Sequence, residues 1–119
     1  MKSYRKPTHT EYSIIHQLLS VVGDRNEKER YLHQIQDLEV KEMDDDGSLE
    51  LKISHLEFRD SNTQARAIAE GILEVPDNHY VTFILHGRNG LLSELEIFKE
   101  DFSKITEKID GKLLHVIPK

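Results

Sequence analysis

Leu92-Ser93-Glu94-Leu95-Glu96-Ile97-Phe98-Lys99-Glu100-Asp101-Phe102 reads as a strand with carboxylates at alternate positions, entered through an Asn89-Gly90 turn. The run before the turn, Val81 to Leu85, is apolar, and an Asn-Gly pair between two apolar runs is a strong hairpin signal. Loop length decides which side chains face inward. A two-residue loop sets Phe83 opposite Glu96 and Leu85 opposite Glu94, so charges share a face with core residues. A three-residue loop, Arg88-Asn89-Gly90, uses Gly90 as the left-handed residue of a bulge. Val81, Phe83 and Leu85 then share a face with Ser93, Leu95 and Ile97. A slip of one residue turns every side chain over, so a buried face selects this second register. Tyr80, Thr82, Ile84, His86, Leu92, Glu94, Glu96 and Phe98 form the opposite face, which is neither fully apolar nor fully polar.

Upstream of the hairpin the hydrophobic period changes twice. Thr8 and Glu11 form a Thr-x-x-Glu capping box after Pro7. Tyr12, Ile15, Leu18, Leu19 and Val22 recur at helical spacing, and Gly23 supplies a stop, which predicts a helix over 9–22. Asp24 and Glu27 repeat a weaker capping pattern, with Tyr31, Leu32 and Ile35 as the buried stripe of a second helix. Period two then takes over. Leu38 and Val40 lead into an Asp44-Asp45-Asp46-Gly47 turn, and Leu49, Leu51 and Ile53 alternate with polar residues. Residues 57–63 read as a polar loop. The alanine-rich stretch 65–75 is compatible with a helix, but Gly71 and its alternation favour a strand ending at Pro76. A short helical turn at Ser103 to Lys108 and a strand at Leu113 to Ile117 follow the hairpin. The expected fold is α+β, one domain over residues 1–119, with two N-terminal helices packed on one face of a four- or five-stranded antiparallel sheet.

Composition narrows the function classes. A chain of 119 residues buries roughly 65% of its unfolded surface, enough for a core without staples. It has no cysteine, which removes disulfides and thiolate metal sites. No apolar run approaches the ~20 residues that span a bilayer. The basic start, Met1 to Lys6, has no apolar signal region after it, so a cytoplasmic location is the default. The net charge of −6 argues against a nucleic-acid binder and leaves a basic protein partner open.

Few motifs carry chemistry. Glu42-x-Asp44-x-Asp46-Gly47 resembles the start of a calcium loop, but Ile53 stands where the bidentate glutamate belongs, so an acidic hairpin turn is the stronger reading. The seven histidines show no His-x-His or His-Glu-x-x-His spacing, and neither a metal nor a cofactor is expected. His86 stands apart, because the register brings it near Glu94 and Glu96, where imidazole and carboxylate can do acid-base work. The two glutamates lie about 7 Å apart along one face, within reach of glycosidase chemistry. Outward charges on a strand are also an ordinary guard against aggregation. There is no tryptophan for a sugar cleft, no nucleophile elbow and no phosphate-binding glycine loop. No catalytic residue is assigned.

Arg5-Lys6-Pro7-Thr8, Met43-Asp44-Asp45-Asp46-Gly47-Ser48-Leu49, and Gly90 to Phe102 with Ser103 and Ile105 follow one another as in a small bacterial family of uncharacterised domains, which the chain resembles over most of its length. Members open with a Pro-Thr-capped helix, carry a Met-Asp-Asp-Gly segment before a Ser-Leu strand, and end with Glu-Leu-aliphatic-aromatic-Lys-x-Asp-Phe-Ser. The chain departs at the middle turn, where relatives have extra glycines, and at Lys104, where proline is common. The resemblance implies no activity and transfers no catalytic residue.

The sequence therefore points first to a non-enzymatic interaction domain that meets a basic protein through Tyr80, Ile84, His86, Glu94, Glu96 and Phe98. By analogy of class alone, small acidic α+β proteins of this kind serve as immunity partners to secreted bacterial toxins. A second reading makes Glu94, Glu96 and His86 a small-molecule or enzymatic site. A third is a homodimer that buries this face for stability alone.

Overall fold

Among the described residues six strands, rather than four or five, form one open sheet. The computed structural model describes residues 3–60, 64–74, 80–105 and 115–119. Two helices come first, α1 (His9–Leu19) and α2 (Arg25–Gln34). The strands are β1 (Glu39–Glu42), β2 (Leu49–Lys52), β3 (Arg66–Glu74), β4 (Tyr80–Arg88), β5 (Leu91–Lys99) and β6 (His115–Pro118). Their order across the sheet is β1-β2-β5-β4-β3-β6, and every pairing is antiparallel. The count rises because both the short hairpin β1–β2 and the last strand join the same sheet, on opposite edges.

The N-terminal cap forms as its sequence dictates. The Glu11 amide donates to the Thr8 hydroxyl at 3.1 Å and the Thr8 amide to the Glu11 carboxylate at 2.9 Å. Arg5 grips the same carboxylate with two nitrogens, at 2.8 and 2.9 Å. Burial works to raise the Glu11 pKa, but the hydrogen bonds from Arg5 and Thr8 outweigh it and hold the carboxyl below its usual range. The helix ends at Leu19, not at 22, because the Ser20 hydroxyl and amide both turn back to the Gln17 carbonyl, at 2.6 and 3.2 Å. Its buried stripe is Ile14, Ile15, Leu18 and Leu19. Tyr12 is exposed instead, an amphipathic ring at the edge of the stripe that keeps its polar end wet. In α2, capped by Asp24, the buried residues are Tyr31 and Gln34, and Leu32 is only half-buried.

Gln34 controls the central hairpin. The β4–β5 loop is two residues long, not three: Asn89 at φ 55° and Gly90 at φ 80° are both left-handed, as a type I′ turn requires. The extra residue sits one step later. Gly87 pairs with Leu92 and His86 with Glu94, so Ser93 bulges out of the ladder. That bulge puts Leu85 opposite Leu95 and Phe83 opposite Ile97, the apolar pairing that an unbulged two-residue loop would forbid. It also turns Leu92 inward, where it is buried, against the expectation that it faces outward. Gln34 satisfies the groups that this geometry leaves over. Its Nε2 donates to the Gly90 carbonyl, and the Leu92 amide donates to its Oε1, both at 2.9 Å. Gly90 cannot be replaced cheaply, since a Cβ there would lie 2.6 Å from the Phe58 carbonyl.

The alanine-rich stretch is a strand, with its alternation broken once. Ala67 pairs with His86 and Ala69 with Leu85, so Ile68 forms a second bulge and is buried beside Ala69. Gly87 makes room for it, because a Cβ at 87 would meet the Ile68 Cδ1 at 2.6 Å. The acidic segment at 44–47 is a hairpin turn in which the Asp44 carboxylate accepts from the Asp46 and Ser48 amides, at 2.9 and 3.1 Å. Ser103 to Ile105 are not helical. The remainder of the expected helical turn, residues 106–108, lies outside the described residues, as do 61–63 of the polar loop, Val75 and Pro76, and the start of the expected last strand at 113–114. The inward side chains of all six strands and of both helices meet in one core, with α1 against β3 and β6 and α2 against β5.

Candidate functional site

Both helices cover one face of the sheet, and the strand registers arrange the other in rows. The first row runs Glu50 on β2, Glu94 on β5, His86 on β4 and Ala67 on β3. The next runs Glu96, Ile84, Glu70 and Ile117. The third runs Phe98, Thr82, Ile72 and His115. Tyr80 and Glu74 close the pattern. All six residues expected to form the interaction face, Tyr80, Ile84, His86, Glu94, Glu96 and Phe98, lie on it together.

The first two rows hold a cluster of charge. His86 Nε2 lies 3.0 Å from Glu96 Oε1, on the diagonal between neighbouring strands. One ligand-type atom from each of His86, Glu94 and Glu96 lies within 4.8 Å of the others, closer than the ~7 Å that strand rise alone suggests for the two glutamates. Glu50 faces Glu94 directly, and like charges in that position repel. Lys41, 3.7 Å from Glu50, and the Tyr4 hydroxyl, hydrogen-bonded to it, moderate that charge. Glu70 is paired with Lys119. Among the described residues the Glu94 carboxylate has no hydrogen bond or ion pair. The depression over the cluster is open to solvent and is lined by Met43, Glu50, His86, Arg88, Glu94 and Glu96. Farther along, Phe98 stacks on Phe102 with ring centroids 5.8 Å apart. Phe102 is 82% exposed and Ile117 52%, so the acidic end of the face grades into an apolar one.

Sequence spacing missed two contributors. Glu50 reaches Glu94 only because β2 pairs with β5 across a long stretch of intervening chain, and only its outward position on the strand was visible beforehand. Phe102 follows the strand at φ 60°, a left-handed turn that folds its ring over Phe98 and that no period announces. A second group, His33, His55 and Glu57, also gathers on the helix side. There both His55 ring nitrogens already face carboxylates, Asp37 at 3.0 Å and Glu57 at 3.5 Å.

Fold and site together define an α+β domain with an open antiparallel sheet and an acidic, histidine-bearing face away from its helices. The chain belongs to the family described as Domain of unknown function (DUF6984), whose profile matches residues 4–109. No curated protein and no solved structure matches the chain. No helix among the described residues is long and apolar enough to cross a membrane.

Proposed function

We propose that this protein is a non-enzymatic interaction domain whose sheet face away from α1 and α2 docks a basic protein partner. The observation that carries the reading is the make-up of that face. Glu94 and Glu96 stand beside Ile84 and Phe98 on rigid central strands, with exposed Tyr80 and Phe102 adjoining. Aromatic and aliphatic side chains supply desolvated contact area, and carboxylates steer an oppositely charged partner into register. The net charge of −6 extends that attraction over a longer range. In its most specific form the partner is a secreted toxin and this chain its immunity protein, a form supported by analogy of class alone. The open depression over His86, Glu94 and Glu96 suits a docking surface better than a sequestered reaction.

The test is site-specific photo-crosslinking in the native cell, with a photoreactive phenylalanine at Tyr80 or Phe98 and a control on α2 at Glu29. Crosslinking to one basic protein from the sheet positions and not from Glu29 supports the reading. Association of that purified protein should then slow in the double variant Glu94→Ala, Glu96→Ala and slow with added salt. Crosslinks only to a second copy of the chain would replace the proposal with a homodimer. Association unchanged by the double variant would overturn it.

A further inference from the structure

We infer that His86, Glu94 and Glu96 form a binding site for a divalent transition metal, with Zn2+ the favoured ion. This goes beyond the docking proposal and does not depend on it. It also departs from what spacing along the chain implies, because the three ligands come together across strands. The donors are one imidazole nitrogen and two carboxylates, a set that suits zinc and its neighbours rather than calcium, which takes oxygen alone. Four ligands at about 2.0–2.1 Å in a tetrahedron stand about 3.3 Å from one another. His86 Nε2 and Glu96 Oε1 are already 3.0 Å apart, and the Glu94 oxygen lies within 4.8 Å of both. Small side-chain rotations close the remainder, and among the described residues the Glu94 carboxylate gives up no hydrogen bond or ion pair to make them.

The backbone supports the same site. His86 and Glu94 are direct cross-strand partners on the two central strands, and Ile84 pairs with Glu96 one row along. Three ligands are thus fixed by paired backbone rather than by a loop. Ala67, opposite His86 on β3, presents only a methyl group to the imidazole on that side. Opposing Glu50 adds a negative charge that a dication would offset. The groups that work against a cation are also present: Arg88 at the rim of the depression and Lys41 beside Glu50. With three protein ligands the fourth position stays open to water or to a donor from a partner.

The experiment is isothermal titration of ZnCl2 into the metal-free full chain at neutral pH, with thermal melts in parallel. The expected result is one Zn2+ bound per chain and a melting temperature that rises with zinc and not with calcium, since a ligand of the native state stabilises it. Loss of an outer-shell partner alone costs about 10–100-fold in metal affinity, so removing a ligand with Glu94→Gln should cost at least that. His86→Ala should do the same, while His33→Ala, in the other histidine cluster, should leave binding intact. Metal-free melts of each variant confirm that the fold survives. No heat and no thermal shift would overturn the inference. So would binding that survives Glu94→Gln or is lost in His33→Ala. Neither measurement needs a protein partner, so this site and the docking face can fail separately.

Discussion

The two faces of this sheet use the same strands under opposite rules. On the inner face Phe83, Leu85, Leu95 and Ile97 are buried against the helices, and even its polar residues are tied down, as Gln34 and Ser48 show. On the outer face carboxylates stand side by side and aromatic rings meet solvent. The inner face is organised for stability. The outer face tolerates arrangements that stability does not require, and such tolerance is where binding sites are found.

If that contrast is right, substitutions should sort by face. Leu95 is completely buried, so Leu95→Ala should cost about 2–5 kcal/mol in urea denaturation, as cavities in packed cores do. Gln34→Ala strands the buried Leu92 amide, leaves the half-buried Gly90 carbonyl without this donor, and should cost about 1–3 kcal/mol. It should also raise hydrogen exchange first at Leu92, which would sharpen the assignment of Gln34 as the clamp on the turn. Glu11→Gln tests the rim between the faces. A carboxyl whose pKa is lowered by folding stabilises fully above its unfolded value and stops doing so as pH falls through its folded value. The variant should therefore be less stable than wild type at neutral pH by about 0.2–1 kcal/mol, and the gap should close in acid, below the ordinary glutamate range. A gap independent of pH would separate the Arg5 contact from Glu11 ionisation.

The inner face was the more legible one in the sequence. The Thr8 capping box, the Asn89-Gly90 turn and the alternation of Leu49 to Ile53 are local signals, and each produced its element. Face selection at 94–98 followed from refusing to bury Glu94 and Glu96. The length of the turn is not legible in the sequence, because apolar pairing can be restored by a longer loop or by a bulge at Ser93. The choice lies with Gln34, which is 58 residues from the Leu92 amide it receives. Tyr12 and Leu32 fall on the helical period yet lie outside the core for a related reason. Period marks a stripe, but the width of the stripe depends on what packs against it. The candidate site was legible as far as β4 and β5, which are joined by a short turn. The place of Glu50 needed the β2–β5 pairing, which no local pattern encodes.

The most direct test of the contrast is one set of urea denaturation curves for wild type, Leu95→Ala and the double variant Glu94→Ala, Glu96→Ala. An outer face kept for binding predicts that the double variant stays within about 0.5 kcal/mol of wild type, while Leu95→Ala loses several times more. A loss in the double variant equal to that of Leu95→Ala would mean that the glutamates hold the fold together, and the division between the two faces would fall with it.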